Sequence, residues 1–389
     1  MIKRQEGFTL VELLITMVIF VFTIAAASSI FVPLLTQFKQ QSKVAETQIE
    51  GVVGLDLLRR DVEQAGFGLP WNIAAAVTTA TYSEASGNIS PLTFPPSNYN
   101  DAPNPPRAIL SGDSVGFNGS DYLVIKGTSV ATNDAAMKWA YVVEEGGASV
   151  VKTWGAGVED LDSTDRVIVM IPSRGVNNQK ILVDSSGVFS VQFQSVPNSA
   201  YSPGIERDLY LIYGVDPDTN LRMPFNRAEY YIRGAGGGFT IPPRCAPNTG
   251  VLMKSVINQA DGARGAGMPL LDCVADMQVV YQLDRDGDGT LDAVTSVLND
   301  TTGTALTARQ IREQLKEIRV YILAHEGQKD NTYNATTIYP AGTVALPAAP
   351  DPGSVSGSTF NFTTRGVTDW RHYRWKIYRI VVKPNNLRG

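Results

Sequence analysis

The segment LDRDGDGTLDAV places three carboxylates at alternate positions, Asp284, Asp286 and Asp288, and follows them with Gly289, Thr290 and Asp292. Oxygens at that spacing can converge on one hard cation, with Gly289 allowing the sharp turn, Thr290 offering its backbone carbonyl and Asp292 a water-mediated contact. Calcium is the ion such a donor set suits. The twelfth loop position is Thr295 instead of a bidentate Glu, so the pattern is not a complete EF-hand, and the missing ligand has to come from Asp300 or a neighbouring loop. Three acids this close repel one another unless neutralised, which favours a metal over a plain solvated turn.

The two cysteines, Cys245 and Cys273, lie 28 positions apart. In an oxidising compartment a bridge between them removes unfolded-state entropy worth roughly 3 to 4 kcal/mol in the loop-closure model, so a disulfide is expected and fits an exported protein. Catalysis finds no comparable support. His325 and His372 sit in strand-like sequence with no nucleophile motif nearby and read as structural. RGAGGGF (233–239) lacks the lysine and spacing of a phosphate loop and reads as a hairpin. Trp370, Tyr373, Trp375 and Tyr378 interleave with Arg371, Arg374, Lys376 and Arg379, the pattern of a strand with a basic outer face, with a recognition surface as the alternative. A net charge of −5, from 33 basic and 38 acidic residues, lacks the basic balance that nucleic-acid backbones attract, so nucleic acid is not an expected partner.

A different chemistry opens the chain. Residues 1–7 read MIKRQEG, with Lys3 and Arg4, and FTLVELLITMVIFVFTIAAASSIFVPLL follows at once. No charge occurs from residue 13 to residue 35, and at about 1.5 Å per residue a helix of that length spans a hydrocarbon core of roughly 30 Å. The basic flank stays in the cytoplasm, which puts the carboxy-terminal bulk outside. A secretory signal is cut after its apolar run, whereas Gly7 precedes this one. Glu12 conflicts with a plain anchor, because a lone carboxylate in lipid is costly. A cut after Gly7 frees the Phe8 amine, which in a packed bundle can neutralise a neighbour's Glu12 and set the axial register.

KRQEG followed by FTLVELLI resembles the leader and first helix of type IV prepilins and of the related type II secretion pseudopilins. The resemblance implies a prepilin peptidase that cuts between Gly7 and Phe8 and methylates the new Phe8 amine, and it makes Glu12 the assembly carboxylate. Further on, LRRDVEQAGFG is similar to the matching segment of large minor pilins of the PilW type and of J-type minor pseudopilins. PilW-type pilins also resemble this chain in an Asp-rich loop. The implied role is a minor pilin, not an enzyme, that helps initiate a type IV pilus and could sit at its tip. Its implied partners are other major and minor pilins and the lipid of the bacterial inner membrane, with the head first periplasmic and then on an extracellular pilus. A minor pseudopilin of type II secretion is the nearest alternative, and a pilus-associated adhesin with an external target is another.

All of this needs a scaffold. Pro33 predicts a kink or melted turn in the apolar helix. Beyond it Ala45, Ile49, Val52, Leu55, Leu58, Val62 and Ala65 recur at spacings of three and four, so an amphipathic second half is expected to lie on a sheet, with Gly66, Gly68 and Pro70 as its stop. Residues 71–119 and 328–369, poor in periodicity, read as surface loop insertions. Runs at 122–126, 167–171, 188–193, 209–213, 228–232, 277–283, 318–323 and 375–382 predict strands, and 307–316 a short helix. The expected fold is α+β and pilin-like. It comprises a leader (1–7), a transmembrane assembly helix (8–38), an amphipathic stalk helix (39–66) and a head (67–389) with an antiparallel sheet and long insertions.

Overall fold

The computed structural model describes residues 9–88, 90–155, 157–172, 180–346 and 358–387. The stalk is one helix, α1 (Leu10–Glu63). It starts with a reciprocal capping box: the Thr9 hydroxyl accepts the Glu12 N–H, and the Glu12 carboxylate accepts the Thr9 N–H. The helix is unbroken at Pro33, so a melted turn does not form there, although the ring removes one backbone donor. At its far end Gly66 and Gly68 adopt φ of +84° and +66°, left-handed values that glycine takes without strain, and turn the chain into the head.

The two halves of α1 have different surroundings. Leu10, Phe20, Phe31 and Phe38 are 61 to 77% exposed, whereas Leu58, Val62 and Ala65 are fully buried. The covered face consists of Gly51, Gly54, Leu55, Leu58, Asp61, Val62 and Ala65. Ala45 and Val52, expected on that face, are exposed, and the side chain of Ile49 lies outside the described residues. The glycines explain the difference. A Cβ on Gly54 would stand 2.0 Å from the Leu270 carbonyl oxygen, so helix and sheet touch backbone to backbone, and the rotation that permits this turns Val52 outward. Asp61 is buried in the same contact, where Lys254 Nζ and the Tyr230 hydroxyl each reach its carboxylate at 2.5 Å.

In the head, β1 (Ile109–Gly112) and β2 (Tyr122–Gly127) are followed by β3 (Trp139–Glu145), β4 (Ala148–Lys152), β5 (Arg166–Ile171), β6 (Ile181–Leu182), β7 (Ser190–Gln192) and β8 (Leu209–Asp216). Next come β9 (Asn226–Arg233), β10 (Gly250–Val256), β11 (Met268–Leu283), β12 (Ala293–Thr295), helix α2 (Ala308–Gln314) and β13 (Leu315–Glu326). The last strands are β14 (Thr343–Leu346), β15 (Ser358–Asn361) and β16 (Arg374–Val382). The main antiparallel sheet has the order β1-β2-β9-β10-β11-β13-β16, with β12 against β11. Strands β3 to β8 form a second antiparallel sheet, inserted in sequence between the paired neighbours β2 and β9. This is the α+β pilin-like layout, one long helix followed by a β-rich head.

Strand periodicity assigns each face a partner. On β13, Ile318, Val320, Ile322 and Ala324 join the core that contains α1, while Tyr321 and Leu323 join Val344, Phe360, Phe362 and Trp370 on the other side. On β5, Ile168 and Met170 face the main core, and Val167 and Val169 face a core of the second sheet's own. A helix covers only one side of a sheet, so a sheet apolar on both sides needs a second cover.

That cover corrects the reading of the two insertions. Val77, Tyr82 and Glu84 are buried, and Leu92 packs with Tyr122, Val124 and Tyr231 on the outer face of β2 and β9. The described part of 328–369 covers β13 and β16 in the same way. An ionic cluster locks the first insertion down. Lys126 Nζ lies 2.6 Å from both Glu84 and Asp101, Arg227 bridges Glu84 and Glu229 at 3.3 and 2.9 Å, and Arg264 reaches Glu229 at 2.6 Å. Arg107 also reaches Asp101 at 2.6 Å, so every buried carboxylate of the cluster is paired, and removing one strands its partners. The carboxy terminus closes onto the stalk through the Asn385 N–H, which the Glu63 carbonyl accepts at 3.0 Å.

Gly54→Val should lower the unfolding free energy of the full-length protein in detergent by about 2 kcal/mol or more through overpacking, against less than about 0.5 kcal/mol for Val53→Thr on the exposed side. Urea titration measures both, and matching midpoints would contradict the backbone contact.

Candidate functional site

Two regions carry the chemistry, the start of the stalk and an acidic hairpin at one end of the main sheet. Gly7 and Phe8, the expected cleavage and methylation positions, lie outside the described residues. Glu12 stands in the first turn of α1, where its Oε2 accepts both the N–H and the hydroxyl of Thr9 at 3.0 Å. An acid there complements the positive end of the helix dipole. Among the described residues no cation pairs with it, and the apolar side chains around it, Leu10, Val11, Leu13 and Ile15, are all more than half exposed. The carboxylate therefore stands among apolar side chains that nothing among the described residues of the head covers.

The loop 284–292 is the tip of the β11–β12 hairpin, with Gly287 and Gly289 at φ of +79° and +90° making the turn. Asp284, buried at the end of β11, accepts the Gly287 and Gly289 N–H groups at 2.7 and 3.1 Å. Asp292 accepts the Arg285 and Asp286 N–H groups at 2.6 and 3.3 Å. Asp284, Asp286 and Asp292 bring carboxylate oxygens within 4.8 Å of one another, a cluster of three hard ligands with the chemistry of an oxygen-seeking divalent ion. Asp288 stands outside this trio and accepts the Thr290 N–H and hydroxyl at 2.7 and 2.6 Å. Asp300 is engaged in its own turn by Thr302 and Thr304, and the Thr295 hydroxyl donates to the Val297 carbonyl. Lys316 Nζ lies 3.5 Å from Asp284. Sequence spacing alone did not point to this lysine.

Cys245 and Cys273 form a disulfide that ties the segment before β10 to β11. His325, on the neighbouring strand β13, packs against Tyr373 and Trp375 and accepts the Ala246 N–H at its Nε2, 2.8 Å away. Burial pushes its imidazole down to about 3, so it stays neutral. His372 Nδ1 is 3.1 Å from the Tyr333 carbonyl. Trp370, Tyr373 and Trp375 are buried in the second core, and the Tyr378 hydroxyl donates to Glu326, so these aromatics form a packed sheet face and not a recognition surface. In 233–239, Gly236 and Phe239 exchange backbone hydrogen bonds, as a hairpin does.

The His325 shift sets a direction for acid stability. Between about pH 6.5 and 3 the unfolded chain binds a proton at this position and the folded chain does not, so folded stability falls as the pH falls. His325→Gln keeps an acceptor without titrating. Its deficit relative to wild type in urea unfolding should shrink by up to about 1.4 kcal/mol per pH unit below pH 6.5, and a deficit constant from pH 7 to 4.5 would contradict a buried neutral imidazole.

Two family models match the chain. Residues 229–386, from β9 past β16, match Type IV Pilus-assembly protein W, a span that holds the disulfide, the acidic hairpin and His325. Residues 2–28 match the prokaryotic N-terminal methylation motif, a span that holds Gly7, Phe8 and Glu12. No curated protein and no solved structure matches. A methylation-motif helix that outreaches its own head, joined to a head that matches the pilus-assembly W family over residues 229–386, is consistent with a type IV minor pilin.

Proposed function

We propose that this minor pilin acts early in pilus assembly, as part of a membrane-embedded priming complex, and that its bulk keeps it at or near the filament tip. The observation that carries this reading is the uncovered apolar half of α1: lipid first, and neighbouring pilin helices later, are the surroundings that remove that surface from water. Prepilin peptidase frees the Phe8 amine, and Glu12 of one subunit pairs with that amine on the next. The basic leader keeps the amino terminus cytoplasmic and the head periplasmic until the pilus extends outside. A head of two sheets with long insertions is bulky for repeated packing along a slender shaft, which favours low copy number. The role is structural. An adhesin reading loses support because the described parts of both insertions cover the main sheet, and type II secretion is not favoured by the family matches.

Deletion of the gene should abolish or sharply reduce surface pili, and immunogold labelling of sheared filaments from the complemented strain should mark ends. Normal piliation in the deletion strain, or label spread evenly along the shafts, would refute the priming and tip assignment.

The acidic hairpin supports a second, narrower proposal: Asp284, Asp286 and Asp292 hold a calcium ion, which displaces Lys316 from Asp284. Ligand linkage then stabilises the head by about 2.7 kcal/mol at a calcium concentration one hundred times the Kd. The full-length protein in detergent should melt higher in calcium than in chelator, and Asp286→Asn should remove the difference. Identical wild-type melts in the two buffers would eliminate the site.

A further inference from the structure

Lys126, on β2, is fully buried, and two carboxylates of the first insertion share its ammonium group. Its Nζ lies 2.6 Å from Glu84 Oε2 and 2.6 Å from Asp101 Oδ2, and donates to the Tyr99 carbonyl at 3.1 Å. The Phe225 ring walls the site, its centroid 5.4 Å from Nζ. Glu84 also holds the second acid in place, since its Oε1 accepts the Asp101 N–H at 2.7 Å and the Tyr82 hydroxyl at 2.9 Å. Arg107 grips the Asp101 carboxylate, with Nε 2.6 Å from Oδ1 and its backbone N–H 2.9 Å from Oδ2. Counting Arg227, Arg264 and Glu229, the described ion pairs of this cluster set four cations against three carboxylates, one positive charge in excess at a site largely removed from water. Guanidinium groups do not give up protons, so Lys126 is the cation that can. Burial raises the Asp101 carboxyl, but Lys126 and Arg107 outweigh it and hold the group below its ordinary value, so the resting contact is an ion pair.

We propose that Lys126 and Asp101 condense after folding into an intramolecular amide, with Glu84 as the proton carrier. One ammonium proton passes along the 2.6 Å contact to Asp101 Oδ2, leaving a neutral amine beside a carboxylic acid. Nζ adds to Asp101 Cγ, and the Arg107 Nε–H stabilises the negative charge that forms on Oδ1. Glu84 takes a second proton from Nζ and delivers it to Oδ2, the Cγ–Oδ2 bond breaks, and Oδ2 leaves as water. The third proton stays on the amide nitrogen, so the step balances without oxidant or nucleotide. Folding supplies what the condensation requires, a nucleophile and an electrophile held in contact away from bulk water. The amide joins the insertion to β2 across 25 positions, with a bond that denaturation does not open.

The test is mass spectrometry of the full-length protein, purified in detergent, then reduced and denatured, both intact and after digestion. Wild type should weigh about 18 Da, one water, less than its processed sequence, and should yield a branched peptide joining the Lys126 and Asp101 segments. Lys126→Arg keeps the charge without a nucleophilic amine and should show neither change. Glu84→Gln should leave Lys126 and Asp101 unlinked, because an amide cannot carry the proton. Full mass and separate linear peptides in wild type overturn the proposal, and this readout decides even where a variant fails to fold. A water loss confined to Asp261, Asp286 or Asp288, each followed by glycine, is succinimide formation and overturns it too. A branch at Glu84 in place of Asp101 overturns the choice of electrophile, and a branch that persists in Glu84→Gln overturns the proton carrier.

Discussion

A single continuous helix has to satisfy two environments. From Gly51 to Ala65 the covered face of α1 lies on the main sheet, close enough that Gly54 meets the Leu270 backbone, and Asp61 is neutralised there by Lys254. From Leu10 to Phe38 the same helix carries apolar side chains that nothing among the described residues of the head covers. The first contact fixes the head rigidly to the stalk, and the second leaves the stalk dependent on lipid or on other helices. Assembly follows from this division, because the surface that cannot be buried within one chain can be buried between chains.

The head is organised by a related requirement. Strands apolar on both faces must be covered twice, and α1 covers only one side. The described parts of the two polar, proline-rich insertions supply the other cover with few large side chains, held by Leu92 and Phe94 in one case and by Phe360 and Phe362 in the other. The ionic cluster around Lys126 and Arg227 then makes the first insertion inseparable from β2 and β9. The disulfide and the neutral His325 reinforce β11 and β13, the strands at the centre of the region that matches the pilus-assembly W family.

Much of this was readable from residue order. The apolar run with its early Glu12, the stop at Gly66, the short helix α2 and the strands β2, β5, β9, β11, β13 and β16 follow from local periodicity. The rotation of α1 did not, because its closest contacts are made by Gly51 and Gly54, which carry no hydrophobic signal. The role of 71–119 was hidden for a different reason: Glu84 meets Arg227 across 143 positions, and pairing at that range leaves no local pattern. β10 was missed because GVLMKSV sets a lysine, Lys254, in mid-strand, and only the burial of Asp61 in the stalk explains it. At the acidic hairpin the alternating carboxylates were evident, while the choice of Asp292 over Asp288 as the third member of the trio depends on the turn at Gly287 and Gly289.

In the proposed assembly the negative charge of Glu12, and not merely its place in the capping box, recruits this subunit through a neighbour's amine. Glu12→Gln separates the two, because glutamine can still accept the Thr9 N–H while carrying no charge. Quantifying the variant in sheared pili against wild type, at equal membrane levels, tests this directly. The variant should be absent from the fibres. Incorporation equal to wild type would contradict it.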